Sequence, residues 1–194
     1  MNVLTILGHP NPCSFNHAIA KTVTDTLTEM GNTVTFHDLY SEKFNPLLQA
    51  GEMQNLTDPQ VRLYTEELAN ADGLVIIHPI WWGLPPAVIN GWVDRVFRVG
   101  VAYQFKEIAP GVGVPVGLLK AKKAVVFNTS NTPMDQEANR CRDAMGNLWK
   151  VCVLDTVGVK ETERKLFSPM ISSTPQQREA WLKEAAEITK NQFS

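Results

Sequence analysis

The chain reads as a doubly wound α/β fold built on a five-stranded parallel sheet, and three observations predict it. Short, continuous apolar runs alternate with segments of helical periodicity along the whole chain. The opening apolar run leads into a helix pattern and then a second strand, a unit that implies parallel pairing through a right-handed crossover. Neither a repeat, a linker nor a block of like charge interrupts the alternation, so residues 1–194 read as a single domain.

Val3 to Leu7 is an apolar run ending at Gly8, the pattern of a strand buried on both faces. Beyond a loop, Phe15, Ala18, Ile19, Val23 and Leu27 recur at helical spacing, with Ser14 placed as the N-cap and Gly31 as the stop. Thr33 to Asp38 is β-branched and aromatic, a second strand. A long irregular section follows, until Asp58-Pro59 opens a helix running to about Ala71, with proline in its first turn. Gly73 to Ile77 is the third strand, and Pro86 to Phe97 is helical with Val88, Ile89, Trp92, Val93 and Val96 on one face. The glycines and prolines of Lys106 to Leu119 predict a surface loop or lid. Ala124 to Phe127 is the fourth strand, Gln136 to Val151 a helix, and Thr156 to Lys160 a short fifth strand. Thr174-Pro175-Gln176-Gln177 caps a final helix through Trp181, Ala185 and Ile188.

Composition narrows the function. A net charge of −2 gives no electrostatic case for nucleic acid or an anionic membrane surface. No apolar run reaches membrane-spanning length, and the chain starts on a strand rather than a secretory pattern. Three cysteines without CxxC spacing read as free thiols, which points to the cytoplasm. The four histidines lack tight ligand spacing, so no metal site is expected. No residue reads as a catalytic nucleophile.

Three loops at carboxyl strand ends carry the chemistry, and in this architecture they converge on one crevice. His9 to Asn16 joins a buried strand to a helix N-terminus, where backbone N–H groups and the helix dipole favour an anion. Ser14 and Asn16 add donors, although a capping role accounts for Ser14 equally well. The Gly-rich spacing and lysine of a nucleotide-triphosphate loop are absent, so a single phosphate monoester suits the loop better. Pro79, Ile80, Trp81 and Trp82 form an aromatic wall; core or interface burial is the competing account of the two indoles. Asn128, Thr129, Ser130 and Asn131 supply a polar edge, or a plain polar turn. Together the loops fit a phosphate-bearing flat cofactor, with flavin mononucleotide (FMN) the economical candidate and FAD the alternative.

An ordered set of motifs then resembles the flavodoxin-like NAD(P)H:quinone oxidoreductases. The set comprises His9 with Ser14-Phe15-Asn16, Asp38-Leu39-Tyr40 with Phe44-Asn45-Pro46, Pro79 to Trp82, Pro86, Gly91-Trp92, Arg95-Val96-Phe97, Ala102-Tyr103 and Lys122-Lys123-Ala124. The resemblance implies that His9, Ser14, Phe15 and Asn16 hold the FMN phosphate and ribityl chain. It implies that Pro79 to Trp82 lie along the isoalloxazine and that Asn128 to Asn131 meet its pyrimidine end. Tyr103 and Phe105 match aromatic positions that reach over the site across a homodimer interface, and with Gly83 they are the expected substrate-pocket residues.

The chain also departs from the pattern. It has Asn128-Thr129-Ser130-Asn131 where members carry a Thr-Thr-Gly-Gly type of loop, and neither tyrosine nor histidine between Thr132 and Trp149. Gly83 stands where members can have an aromatic residue. The expected activity is two-electron, ping-pong hydride transfer from NAD(P)H through flavin N5 to a quinone or other flat acceptor. The alternatives are a nitro, azo or flavin reductase and a regulatory flavoprotein subunit of a potassium-efflux type of system. Fold alone does not separate these.

Overall fold

A computed structural model describes residues 1–136 and 142–194. Five parallel strands form one sheet in the order β2-β1-β3-β6-β7, with β1 Asn2–Leu7, β2 Thr33–Asp38, β3 Gly73–Pro79, β6 Lys123–Thr129 and β7 Glu161–Phe167. The order reverses beside β1, because the chain first winds outward to β2 and then returns to β3 on the other side. That switch point opens a crevice at the carboxyl edge.

Alternation along each strand divides the core into two layers. Val3 and Leu7 of β1, Val75 and Ile77 of β3, and Val125 and Phe127 of β6 pack under α1 (Phe15–Glu29) and the C-terminal helix α5 (Pro175–Phe193). Leu4, Ile6, Leu74, Ile76, Ala124 and Val126 face the opposite layer, covered by α2 (Pro59–Asn70) and α3 (Ala87–Val96). The same layer contains the fully buried Trp149, which follows the short helix α4 (Ala144–Asn147) in a π-helical stretch, Leu148–Asp155.

The irregular segment before α2 is fastened to α3 by charge. Arg95 is buried and donates to both Glu52 oxygens (2.9 and 2.8 Å), to Asp58 (2.8 Å) and to the carbonyl of Asn45 (2.6 Å). The guanidinium holds the Glu52 carboxyl below its ordinary range. Removing one partner of a buried pair leaves an uncompensated charge and costs about 3–5 kcal/mol. Gly91 completes the fit: a Cβ there would lie 2.2 Å from the Pro46 carbonyl oxygen.

Two expectations need correction. Lys106 to Leu119 is not a loop but most of an antiparallel hairpin, β4 Tyr103–Ala109 and β5 Val112–Gly117. Both of its faces are largely exposed, so the apolar alternation that marks a half-buried strand never develops. The fifth sheet strand lies at Glu161–Phe167, not Thr156–Lys160. Val157 and Val159 are buried as the predicted strand required, but they sit in a turn whose Gly158 has φ +95°. The true strand is an edge strand, paired among the described residues only to β6, and its charged ETERK start disguised it. The expected helix Gln136–Val151 falls partly outside the described residues, and its remainder is α4 with the first turns of the π-helical stretch.

Candidate functional site at the carboxyl edge of the sheet

A cavity of about 190 Å³ lies at the switch point, lined by His9, Ser14, Phe15, Asn16, Pro79, Ile80, Trp81, Thr129, Ser130, Asn131 and Met170. Four strand ends contribute: β1, β3, β6 and β7. The first three loops are those the sequence singled out.

The β1–α1 loop sets the floor. Ser14 is extended (φ −73°, ψ 157°) and its Oγ accepts from the His17 backbone N–H, so it is the N-cap. The first-turn N–H groups of Phe15 and Asn16 have no carbonyl four residues earlier within the helix, which leaves them for an anion. Asn16 is 2% exposed; its Nδ2 donates to Thr129 Oγ1 at 2.9 Å, and its Oδ1 has no partner among the described residues. A buried acceptor without a donor is costly, and a ligand hydroxyl would relieve it. The Asn11 backbone N–H donates to His9 Nδ1 (3.0 Å), and burial lowers the His9 proton affinity.

The β3–α3 loop presents one indole to the cavity rather than two. Trp81 and Leu84 exchange backbone hydrogen bonds of 3.0 and 2.9 Å around a tight turn. Trp82 and Gly83 occupy that turn with φ +55° and +73°, the left-handed pair such a reversal requires. The geometry throws Trp82 fully into solvent, while Trp81 lines the cavity, its ring 5.9 Å from that of His9. Trp82 and Gly83 are therefore not brought to the cavity. Tyr103 and Phe105, edge to face at 5.6 Å on the hairpin, also lie outside it within this chain.

Asn128 belongs to β6 rather than to the loop after it, and alternation points it away from Thr129 into the opposite layer. There it is completely buried beside His78. Its Oδ1 accepts from Arg164 Nε at 2.7 Å, and Arg164 also pairs with Asp143. Trp149 Nε1 donates to His78 Nε2 at 2.9 Å, which leaves His78 Nδ1–H to donate to the Pro79 carbonyl at 2.8 Å. Burial holds this imidazole neutral, with a pKa pushed down to about 4. The network braces the strand end beneath the cavity without entering it.

Sequence reasoning missed Met170. Its N–H bonds the Ser130 carbonyl (2.9 Å), and the neighbouring Ile171 N–H bonds Asn131 Oδ1 (3.0 Å), locking the β7–α5 loop to the polar edge. The signal was lost with the misplaced fifth strand, because a strand end set at Lys160 puts its loop elsewhere. Asp38 and His17 were also missed as neighbours of the site. Their signal was present, since Ser14 and His17 stand three apart on one helical face and Asp38 ends the adjacent strand.

A helix N-terminus, an indole and a polar edge surround one crevice at the switch point, and comparison with known proteins decides the family. The model of a family described by its flavodoxin-like fold matches residues 1–191. The chain belongs to that family. Over 203 residues it is 32% identical to an uncharacterized NAD(P)H oxidoreductase of Haemophilus influenzae, covering 98% of this chain and 95% of that one. It is 28% identical to the ribosyldihydronicotinamide dehydrogenase [quinone] of Rattus norvegicus, covering 98% and 93%. The solved NAD(P)H:quinone oxidoreductase from Methanothermobacter marburgensis superposes with a TM-score of 0.82 at 28% identity, covering 98% and 96%. No helix among the described residues is long and apolar enough to cross a membrane, and no group of candidate metal ligands occurs among them.

Proposed function

We propose that this oxidoreductase binds FMN in the carboxyl-edge cavity and catalyses two-electron transfer from NAD(P)H to a quinone or similar flat acceptor, with ping-pong kinetics. The observation that carries the reading is Asn16 Oδ1, a buried acceptor without a partner on the wall of a cavity that also presents a helix N-terminus. A group offering a phosphate and a hydroxylated chain satisfies both together. When bound, the flavin supplies the site that takes and returns the electron pair.

The chain's own residues bind and orient. The α1 N-terminus and Ser14 would hold the phosphate, and Asn16 would accept from a ribityl hydroxyl. Trp81 and Ile80 supply the apolar wall. With Asn131 Oδ1 already accepting from Ile171, the Asn131 amide N–H groups are left as donors at the polar edge, where negative charge accumulates on reduction. Phe105 is exposed on the hairpin and Tyr103 is half-buried at its start, and an exposed Phe105 suits a role across a homodimer interface. In that assembly they and the open side at Gly83 shape the acceptor pocket.

The test is the absorbance spectrum of the protein reconstituted with FMN, recorded before and after NADPH and again after menadione. Bleaching of the flavin band by NADPH and its return with menadione is expected, with parallel initial-rate lines in steady state. A protein unable to retain FMN sinks the reading. One that retains FMN but oxidises neither NADH nor NADPH with any quinone removes the activity and leaves a flavin-binding module.

A further inference from the structure

We propose that capture of a phosphate-type anion at this site is coupled to uptake of one proton by His17, which reverses the His17–Ser14 hydrogen bond and frees the Ser14 hydroxyl to donate into the cavity. The inference deepens the FMN reading and rests on it for the identity of the natural anion.

Three groups form a chain from the cavity wall to the edge of the sheet. Ser14 Oγ lies 2.8 Å from His17 Nδ1, and His17 Nε2 lies 3.0 Å from Asp38 Oδ2. The other Asp38 oxygen accepts from the Tyr40 and Ser41 backbone N–H groups (3.1 and 3.2 Å), so the end of β2 fixes this carboxylate. An ionised carboxylate only accepts, and therefore His17 Nε2 carries hydrogen in either charge state of the ring. In the neutral ring Nδ1 is then bare. The short bond to Ser14 must use the hydroxyl proton of serine.

Ser14 has one such proton. Spent on His17, it leaves only oxygen lone pairs to face the cavity, and these repel an anion. When a solvent proton binds Nδ1, that nitrogen becomes the donor and the serine proton is released toward the cavity. The ring also gains a positive charge beside the anion. The cap bond from the His17 N–H to Ser14 Oγ (3.3 Å) needs no change in either state. Both consequences strengthen anion binding, and by linkage the anion strengthens proton binding to the same degree.

Asn16 provides the independent sign that a ligand sits here, since its unpartnered Oδ1 is buried on the same cavity wall. The other titratable groups nearby do not take the proton. His9, from the β1–α1 loop, has its ring 6.3 Å from that of His17, but its Nδ1 already accepts from Asn11, a bond that protonation would break. Lys21, one turn along α1, is paired with Asp25 at 2.6 Å. Cys13 is exposed and its thiol carries no positive charge in either state.

The experiment is calorimetric titration of the apoprotein with FMN and, separately, with sulfate, each in two buffers of different ionisation enthalpy. Working near pH 8, above the second phosphate pKa of about 6, assigns any proton taken up to the protein rather than to FMN. Wild type is expected to take up a large fraction of one proton per anion, and sulfate to bind roughly tenfold more tightly at about pH 6 than at about pH 8. His17→Gln should lose both the uptake and the pH dependence. Nitrogen-15 shifts of the wild-type His17 ring, with and without sulfate, report the charge change without any variant. Binding of FMN and sulfate without proton uptake, or uptake unchanged in His17→Gln, overturns the inference and leaves the FMN reading standing. Sulfate binding with uptake but no FMN binding overturns the FMN reading alone. If neither anion binds, both fall.

Discussion

His78 and His17 stand near the same edge of the sheet and illustrate opposite uses of a polar side chain. His78 is fully buried, and both ring nitrogens are bonded, to Trp149 and to the Pro79 carbonyl. Its tautomer is fixed by a partner that can only donate. His17 sits in the first turn of α1, partly exposed, joined to a hydroxyl whose proton can point either way and to a fixed carboxylate. A polar group with every bond met holds structure, whereas one with an alternative arrangement, or a neighbour such as Asn16 with an unmet bond, awaits a ligand. Coupling between stability and ligand affinity therefore differs between the two regions.

The largest effect should come from the braced side. His78→Ala leaves the Trp149 N–H and the Asn128 amide without their partner and opens a void, and should cost about 3 kcal/mol in urea unfolding. His17→Ala should stay within about 0.5 kcal/mol in the same measurement. Equal losses would break the comparison.

Acid sharpens it next. The folded-state pKa of His78 is about 4, below its ordinary value of 6.5. The unfolded chain therefore takes up a proton that the folded chain refuses, and stability falls as pH drops from about 6.5 to about 4. The loss should approach, on the order of, 3 kcal/mol at the lower end. Unfolding free energies across that window, in wild type and in His78→Gln, check it: the variant should show a flatter slope.

Ligand binding should respond in the other region. Asn16→Ala removes the unmet acceptor and should weaken FMN binding about tenfold, equivalent to roughly 1.4 kcal/mol, measured by quenching of flavin fluorescence. The smallest effect is expected at Trp82, which is fully exposed on its turn. Trp82→Ala should change stability by no more than about 0.5 kcal/mol and leave FMN affinity within twofold, whereas Trp81→Ala should weaken binding. A large affinity loss at Trp82 would mean that the turn rearranges over the ligand.

Much of the fold was legible because strands β1, β2, β3 and β6 are buried or β-branched runs, and because Ser14, Asp58 and Thr174 are capping residues in place. All three caps form: Ser14 accepts from the His17 N–H, Asp58 from the Gln60 and Val61 N–H groups, and Thr174 from the Gln177 N–H. The hairpin and β7 were misread for one physical reason. Neither has two buried faces, so neither carries the apolar pattern that reveals a strand. Around the cavity, His9, Ser14, Phe15, Asn16, Pro79 to Trp81 and Thr129 to Asn131 could be named from loop position alone, since doubly wound sheets gather their ligands at carboxyl strand ends.

The sequence by itself determined three of the four loops that meet and what chemistry they bring, because the alternation of strands and helices places those loops at carboxyl strand ends. Only the tertiary structure decided which way each side chain faces. Asn128 turned from the cavity because the pleat alternates, and Trp82 left it because a two-residue reversal at Trp81–Leu84 points its tip outward. Met170 and Asp38 arrived because strands far apart in sequence end at the same edge. Hydrogen-bond direction is likewise a property of assembled neighbours, and at His17 it is Asp38, brought in by β2, that fixes which nitrogen can accept a proton.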